Sequence, residues 1–85
     1  MKTIFSSSFL RQFKSLPSDL KEETVQKIKA FENPKNHKNL KVHKLHGKLK
    51  GRYSFSVSYK IRVVFSYLSK NEAVFHTVGD HQIYQ

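Results

Sequence analysis

An α+β domain, with an N-terminal helical hairpin packed on one face of a small antiparallel sheet, is the architecture this sequence predicts. Three observations support it. Apolar residues recur at helical spacing between Leu10 and Phe31, a period of two takes over from Tyr53, and turn-forming residues mark the joints between them. Helices grouped before strands place both on one sheet face and leave the other for solvent or a ligand.

Thr3 to Phe5 suit a short opening strand. Ser8 offers an N-cap for a brief helix with Leu10, Phe13 and Leu16 along one side. Pro17 and Ser18 end it and start a second helix, whose first turns carry Asp19, Glu22 and Glu23 where the helix dipole favours acids. Leu20, Val25, Ile28 and Phe31 form the buried stripe of this second helix, and Asn33-Pro34 stops it. After a polar connector, Lys35 to Asn39, the apolar Leu40, Val42 and Leu45 alternate loosely with Lys41 and Lys44, as in a basic edge strand. Gly47 and Gly51 bracket a turn. Tyr53, Phe55 and Val57 then point one way and Ser54, Ser56 and Ser58 the other. Ile61–Tyr67 and Ala73–Val78 read as two further strands joined by a hairpin loop from Leu68 to Glu72.

The 85 residues and 10.0 kDa make one domain spanning residues 1–85, with seven Phe and four Tyr to fill its core. The absence of cysteine excludes disulfides and thiolate metal sites and suits a reducing cytoplasm. The N-terminus lacks the apolar stretch of a secretory signal, and no segment approaches the ~18 apolar residues of a membrane span. Five histidines invite a metal, but His37, His43 and His46 stand among lysines that would repel a cation, so no metal and no cofactor is expected. Six acids, four of them on or beside the second helix, make paired-carboxylate chemistry a poor fit. No Ser/His/Asp arrangement points to a nucleophilic triad either. The aromatic strand after Gly51 is no RNA-recognition motif, because no helix separates the strands that follow it.

Charge carries the functional signal. From Asn33 to Leu68 there is no acidic residue, while Lys35, Lys38, Lys41, Lys44, Lys48, Lys50, Arg52, Lys60 and Arg62 accumulate. With a formal charge of +10, one face must be strongly electropositive and suited to an anionic polymer or an acidic protein. Arg62 stands out because it interrupts an apolar strand: its neighbours Ile61 and Val63 face the opposite way, and acids to pair with it are scarce. It either snorkels to a rim or awaits an external anion, and a phosphate matches its bidentate fork. His81 and Tyr84 supply proton-transfer groups that the cations lack.

These residues also carry a resemblance. His43-Lys44-Leu45-His46-Gly47-Lys48-Leu49-Lys50-Gly51-Arg52-Tyr53-Ser54-Phe55-Ser56-Val57, then Ile61-Arg62-Val63-Val64-Phe65, then Val78-Gly79-Asp80-His81-Gln82-Ile83-Tyr84 resemble, in order, three motifs of the RelE/ParE superfamily of bacterial toxin–antitoxin toxins. The resemblance implies a twisted sheet and a cytoplasmic toxin silenced by an acidic cognate antitoxin. It also implies one of two activities: ribosome-dependent cleavage of mRNA, or inhibition of gyrase without cleavage. On the nuclease branch it assigns phosphate binding to Arg62 and acid–base work to His81 and Tyr84. Lys44, Lys48, Lys50 and Arg52 would then contact RNA. Where some members carry a strand histidine and an aspartate, this chain has Ser56 and Lys60. A member that has lost catalysis and binds only its antitoxin is the third implied possibility.

Overall fold

A computed structural model describes residues 1–80. The chain runs β1 (Lys2–Phe5), α1 (Ser7–Lys14), α2 (Ser18–Phe31), β2 (His43–Lys44), β3 (Tyr53–Ser56), β4 (Arg62–Ser69) and β5 (Glu72–Gly79). Short 3-10 turns at Pro34–Asn36 and Gly47–Leu49 punctuate the connection from α2 to β3. The helices precede the main meander, as expected, and the strands form one sheet in the order β1-β5-β4-β3-β2. Three of the four strand pairings are antiparallel. The exception is β1, which lies parallel to β5 with Ile4 opposite Val74, so the sheet is mixed. Local pattern cannot encode that direction, because it is set by docking across some seventy residues of sequence.

Where β1 stops, α1 takes over the edge of β5. The Ser6 backbone N–H donates to Phe75 O at 3.0 Å and its hydroxyl donates to His76 O at 2.9 Å. That same hydroxyl accepts the Phe9 N–H at 3.0 Å, so Ser6, rather than Ser8, caps α1. One turn on, Gln12 Oε1 accepts the Val78 N–H at 3.0 Å. Backbone groups that β1 no longer reaches are thus satisfied by side chains of the first helix.

The earlier cap rotates the buried stripe. Phe9 is buried and Leu10 is exposed, the reverse of the spacing read from Leu10, Phe13 and Leu16. On α2, Thr24 is buried where Val25 was expected, its hydroxyl satisfied by Leu20 O at 2.7 Å. Phe31 is the hub of the core. Its ring lies 4.8 Å from Phe65, 5.3 Å from Phe75 and 5.4 Å from Phe55, and it stacks on His37 at 4.4 Å. His37 Nε2 donates to Phe31 O at 2.8 Å, so this part-buried histidine is tied to the residue at the centre of the core.

The opposite sheet face departs from expectation. It is not left bare: Ser54 and Val64, directly opposite each other on β3 and β4, are 0% and 1% exposed. On β5 the buried residues are Ala73, Phe75 and Val78, a step of two followed by a step of three. Strict alternation cannot bury all three, and the sheet accommodates them with a bulge. Val64 pairs with Thr77 but Phe65 pairs with Phe75, which leaves His76 as the extra residue.

Candidate nucleic-acid interface

The face away from the helices carries Ser54 and Ser56 from β3, and Arg62, Val64 and Ser66 from β4. His76 and Thr77 join them from the bulge of β5. Arg62 opens β4 between two small residues, with Ser56 opposite it on one side and Gly79 on the other. Its Nη1 donates to Ser56 Oγ at 2.5 Å. The guanidinium is half-buried, neither sequestered in the core nor swinging freely.

Arg62 opens onto a hollow of about 380 Å³ at the outer edge of β3. The hollow exists because β2 is short. It covers β3 only at Tyr53 and Ser54, so the edge beyond Ser54 has no strand beside it. Lys27 of α2 and Lys41 enter the same space. Lys41 adopts a left-handed backbone, φ 59°, in the turn before β2. The expected strand from Leu40 onward is thereby reduced to two residues, and Leu40 itself turns into the core.

A second basic hollow, about 310 Å³, lies at the other end of β3 and gathers Lys44, Lys50 and Arg52 beside Tyr53. Gly47 and Gly51, both at positive φ, shape the loop that presents these cations. Lys48 is exposed on the 3-10 turn between them and does not line the hollow. On the nuclease branch the resemblance assigns Lys48, Lys50, Arg52 and Arg62 to one RNA-binding surface. In the fold they separate along β3, with Arg52 and Ser56 four residues, or about 13 Å, apart. His81 and Tyr84 lie outside the described residues. Asp80, just past β5, is exposed.

Sequence reasoning missed His76. Its Nε2 and Ser66 Oγ are 2.7 Å apart on the open face. Burial, and then the positive charge of Arg52, hold its pKa below the ordinary imidazole value. The signal was available in the Ala73, Phe75, Val78 spacing, which an unbroken strand cannot satisfy. Among the described residues no three His, Asp or Glu side chains converge as a metal site requires, and no helix is long and apolar enough to cross a membrane.

No protein-family model matches this chain, and no curated protein matches it. Solved structures do. The YoeB–YefM complex from Staphylococcus aureus has a TM-score of 0.76 at 18% identity, over 95% of this chain and 97% of that one. The toxin–antitoxin complex RelBE2 from Mycobacterium tuberculosis gives 0.73 at 18% identity, over 94% and 96%. The YoeB/ParE toxin from Agrobacterium tumefaciens gives 0.70 at 16% identity, over 95% and 99%. The chain therefore has the fold of RelE/ParE-type toxins, as the three motifs implied.

Proposed function

We propose that this chain is the toxin of a toxin–antitoxin pair and acts as an endoribonuclease on translated mRNA in the cytoplasm. The observation that carries the reading is Arg62, anchored by Ser56 at the mouth of a basic hollow whose described lining holds no acidic residue, on a RelE/ParE-type sheet.

The chemistry needs no group beyond side chains. A base takes the proton from an RNA 2′-hydroxyl, the oxygen attacks the adjacent phosphorus, and the 5′-oxygen leaves with a proton from an acid. A 2′,3′-cyclic phosphate results. Negative charge builds on the non-bridging oxygens, where a preorganised guanidinium contributes most. Arg62 fills that role. Ser56 fixes its rotamer, so its orientation need not be found during the reaction. His81 and Tyr84 share the acid and base duties. Lys44, Lys50 and Arg52 hold the strand further along β3, and the exposed Lys48 adds to the field that draws RNA and the ribosome to this face. An acidic antitoxin segment that folds on contact complements the formal +10 charge and silences the toxin.

Expression of the chain without its antitoxin tests this reading. Incorporation of labelled amino acids should stop before incorporation of labelled thymidine. If DNA synthesis stops first, the chain is a gyrase-directed toxin and the nuclease reading fails. If neither stops, the chain is an antitoxin-binding module without activity.

A further inference from the structure

Tyr59 is 92% exposed, by far the most exposed of the large hydrophobic side chains among the described residues. A lone exposed aromatic is ordinary, but this one has an unusual setting. It sits at the crest of the turn between β3 and β4, whose feet are held by Val57 N–H to Ile61 O at 2.8 Å and by burial of both residues. The ring is therefore presented from a fixed base rather than from a loose loop. Beneath it lies the hollow that receives Lys27, Lys41 and Arg62, together with the Asn39 amide. None of the described residues lining that hollow is acidic. Its volume of about 380 Å³ falls within the usual range of ~300–1,000 Å³ for small-ligand sites.

Cations in a hollow, an aromatic plane at its rim and an amide with both donor and acceptor match a nucleotide unit: phosphate, base face and base edge. We propose that this hollow is a nucleotide subsite for single-stranded RNA. In it Tyr59 stacks on one base, Lys27 and Lys41 hold its flanking phosphate, and Asn39 meets the base edge. The inference deepens the reading of Arg62 as an RNA phosphate ligand and rests on it, placing one nucleotide of the substrate beside the cleaved bond. Stacking tolerates any base, so selectivity from this subsite comes only through Asn39. The left-handed backbone of Lys41 is a useful handle, because glycine suits that conformation better than lysine does.

The test is equilibrium binding of a short fluorescent single-stranded RNA made uncleavable by 2′-fluoro substitution. Tyr59→Ala should weaken binding about 5- to 150-fold, the range expected for one stacked base at ~1–3 kcal/mol, and Tyr59→Phe should bind like the unaltered chain. Lys41→Gly should fold at least as well yet lower the slope of log affinity against log salt by about 0.7, one single-strand phosphate contact. Unchanged affinity in Tyr59→Ala, or equal loss in Tyr59→Phe, overturns the stacking role. An unchanged salt slope in Lys41→Gly overturns the phosphate contact. Because the RNA cannot be cut, a chain without nuclease activity leaves these outcomes readable, whereas failure of the unaltered chain to bind RNA overturns the subsite together with the RNA reading.

Discussion

Arg62 and Ser56 face each other across the β3–β4 pair, and the arginine Nη1 donates to the serine Oγ. On the proposed reading this hydrogen bond links fold to chemistry, since it would fix the phosphate-binding cation on a rigid strand rather than on a loop. Arg62→Ala should reduce RNA cleavage by at least ~10²-fold, the loss of one transition-state donor, with little change in melting temperature. Ser56→Ala should lower the rate at saturating RNA while keeping the salt dependence of binding, because it loosens the guanidinium without removing charge. Steady-state kinetics beside thermal melts check both. A large drop in melting temperature with unaltered cleavage would make Arg62 a structural residue.

Ser6 serves the helix and the sheet at once, capping α1 at Phe9 while donating to His76 O. Ser6→Ala should therefore cost about 0.5–2 kcal/mol, the range for a lost cap, toward its upper end because a bulge contact goes with it. Urea denaturation gives the magnitude. Hydrogen exchange locates the effect, with the Phe9 amide losing protection first.

Phe31 touches three other buried phenylalanines and His37. Phe31→Ala should cost about 3–5 kcal/mol, most of the stability of a small domain. Phe31→Leu, which keeps more of the volume, should cost much less. Denaturation of the two variants side by side checks the ordering.

His76 makes stability depend on pH, and the sign follows from its lowered pKa. The folded chain resists protonation more than the unfolded chain does, so between the folded pKa and the ordinary value of about 6.5 the unfolded state binds more protons. Stability should therefore fall as pH drops through this window and recover above it. His76→Gln keeps a partner for Ser66 and removes the titration. Urea midpoints at pH 7.5 and 5.5 should converge more closely for His76→Gln than for the unaltered chain. Parallel losses in both proteins would assign the pH response to other groups.

Much of this was legible in the sequence. Pro17 and Asn33-Pro34 divide the helices where expected, and the alternation from Tyr53 to Val57 places Phe55 inside and Ser56 outside. The placement of Arg62 away from the core follows from the same alternation. What failed was whatever depended on distant partners. Ser6 outcompetes Ser8 as the cap because His76 O is there to receive its proton, and Ser6 to His76 is a contact across seventy positions. Thr24 enters the core because its hydroxyl can turn back onto the helix, an option invisible to hydropathy. The basic residues share a face but divide between two hollows, since charge density says nothing of where β2 ends. His76 escaped notice because a bulge, and no residue type, aims it.

Mapping the 5′ ends of cellular mRNAs by primer extension after induction tests the central claim most directly, comparing the unaltered chain with Arg62→Ala and His81→Ala. New ends inside translated codons, present with the unaltered chain and lost or strongly reduced in both variants, are the expected result. Ends that persist undiminished in Arg62→Ala, or growth arrest with intact transcripts, would contradict it.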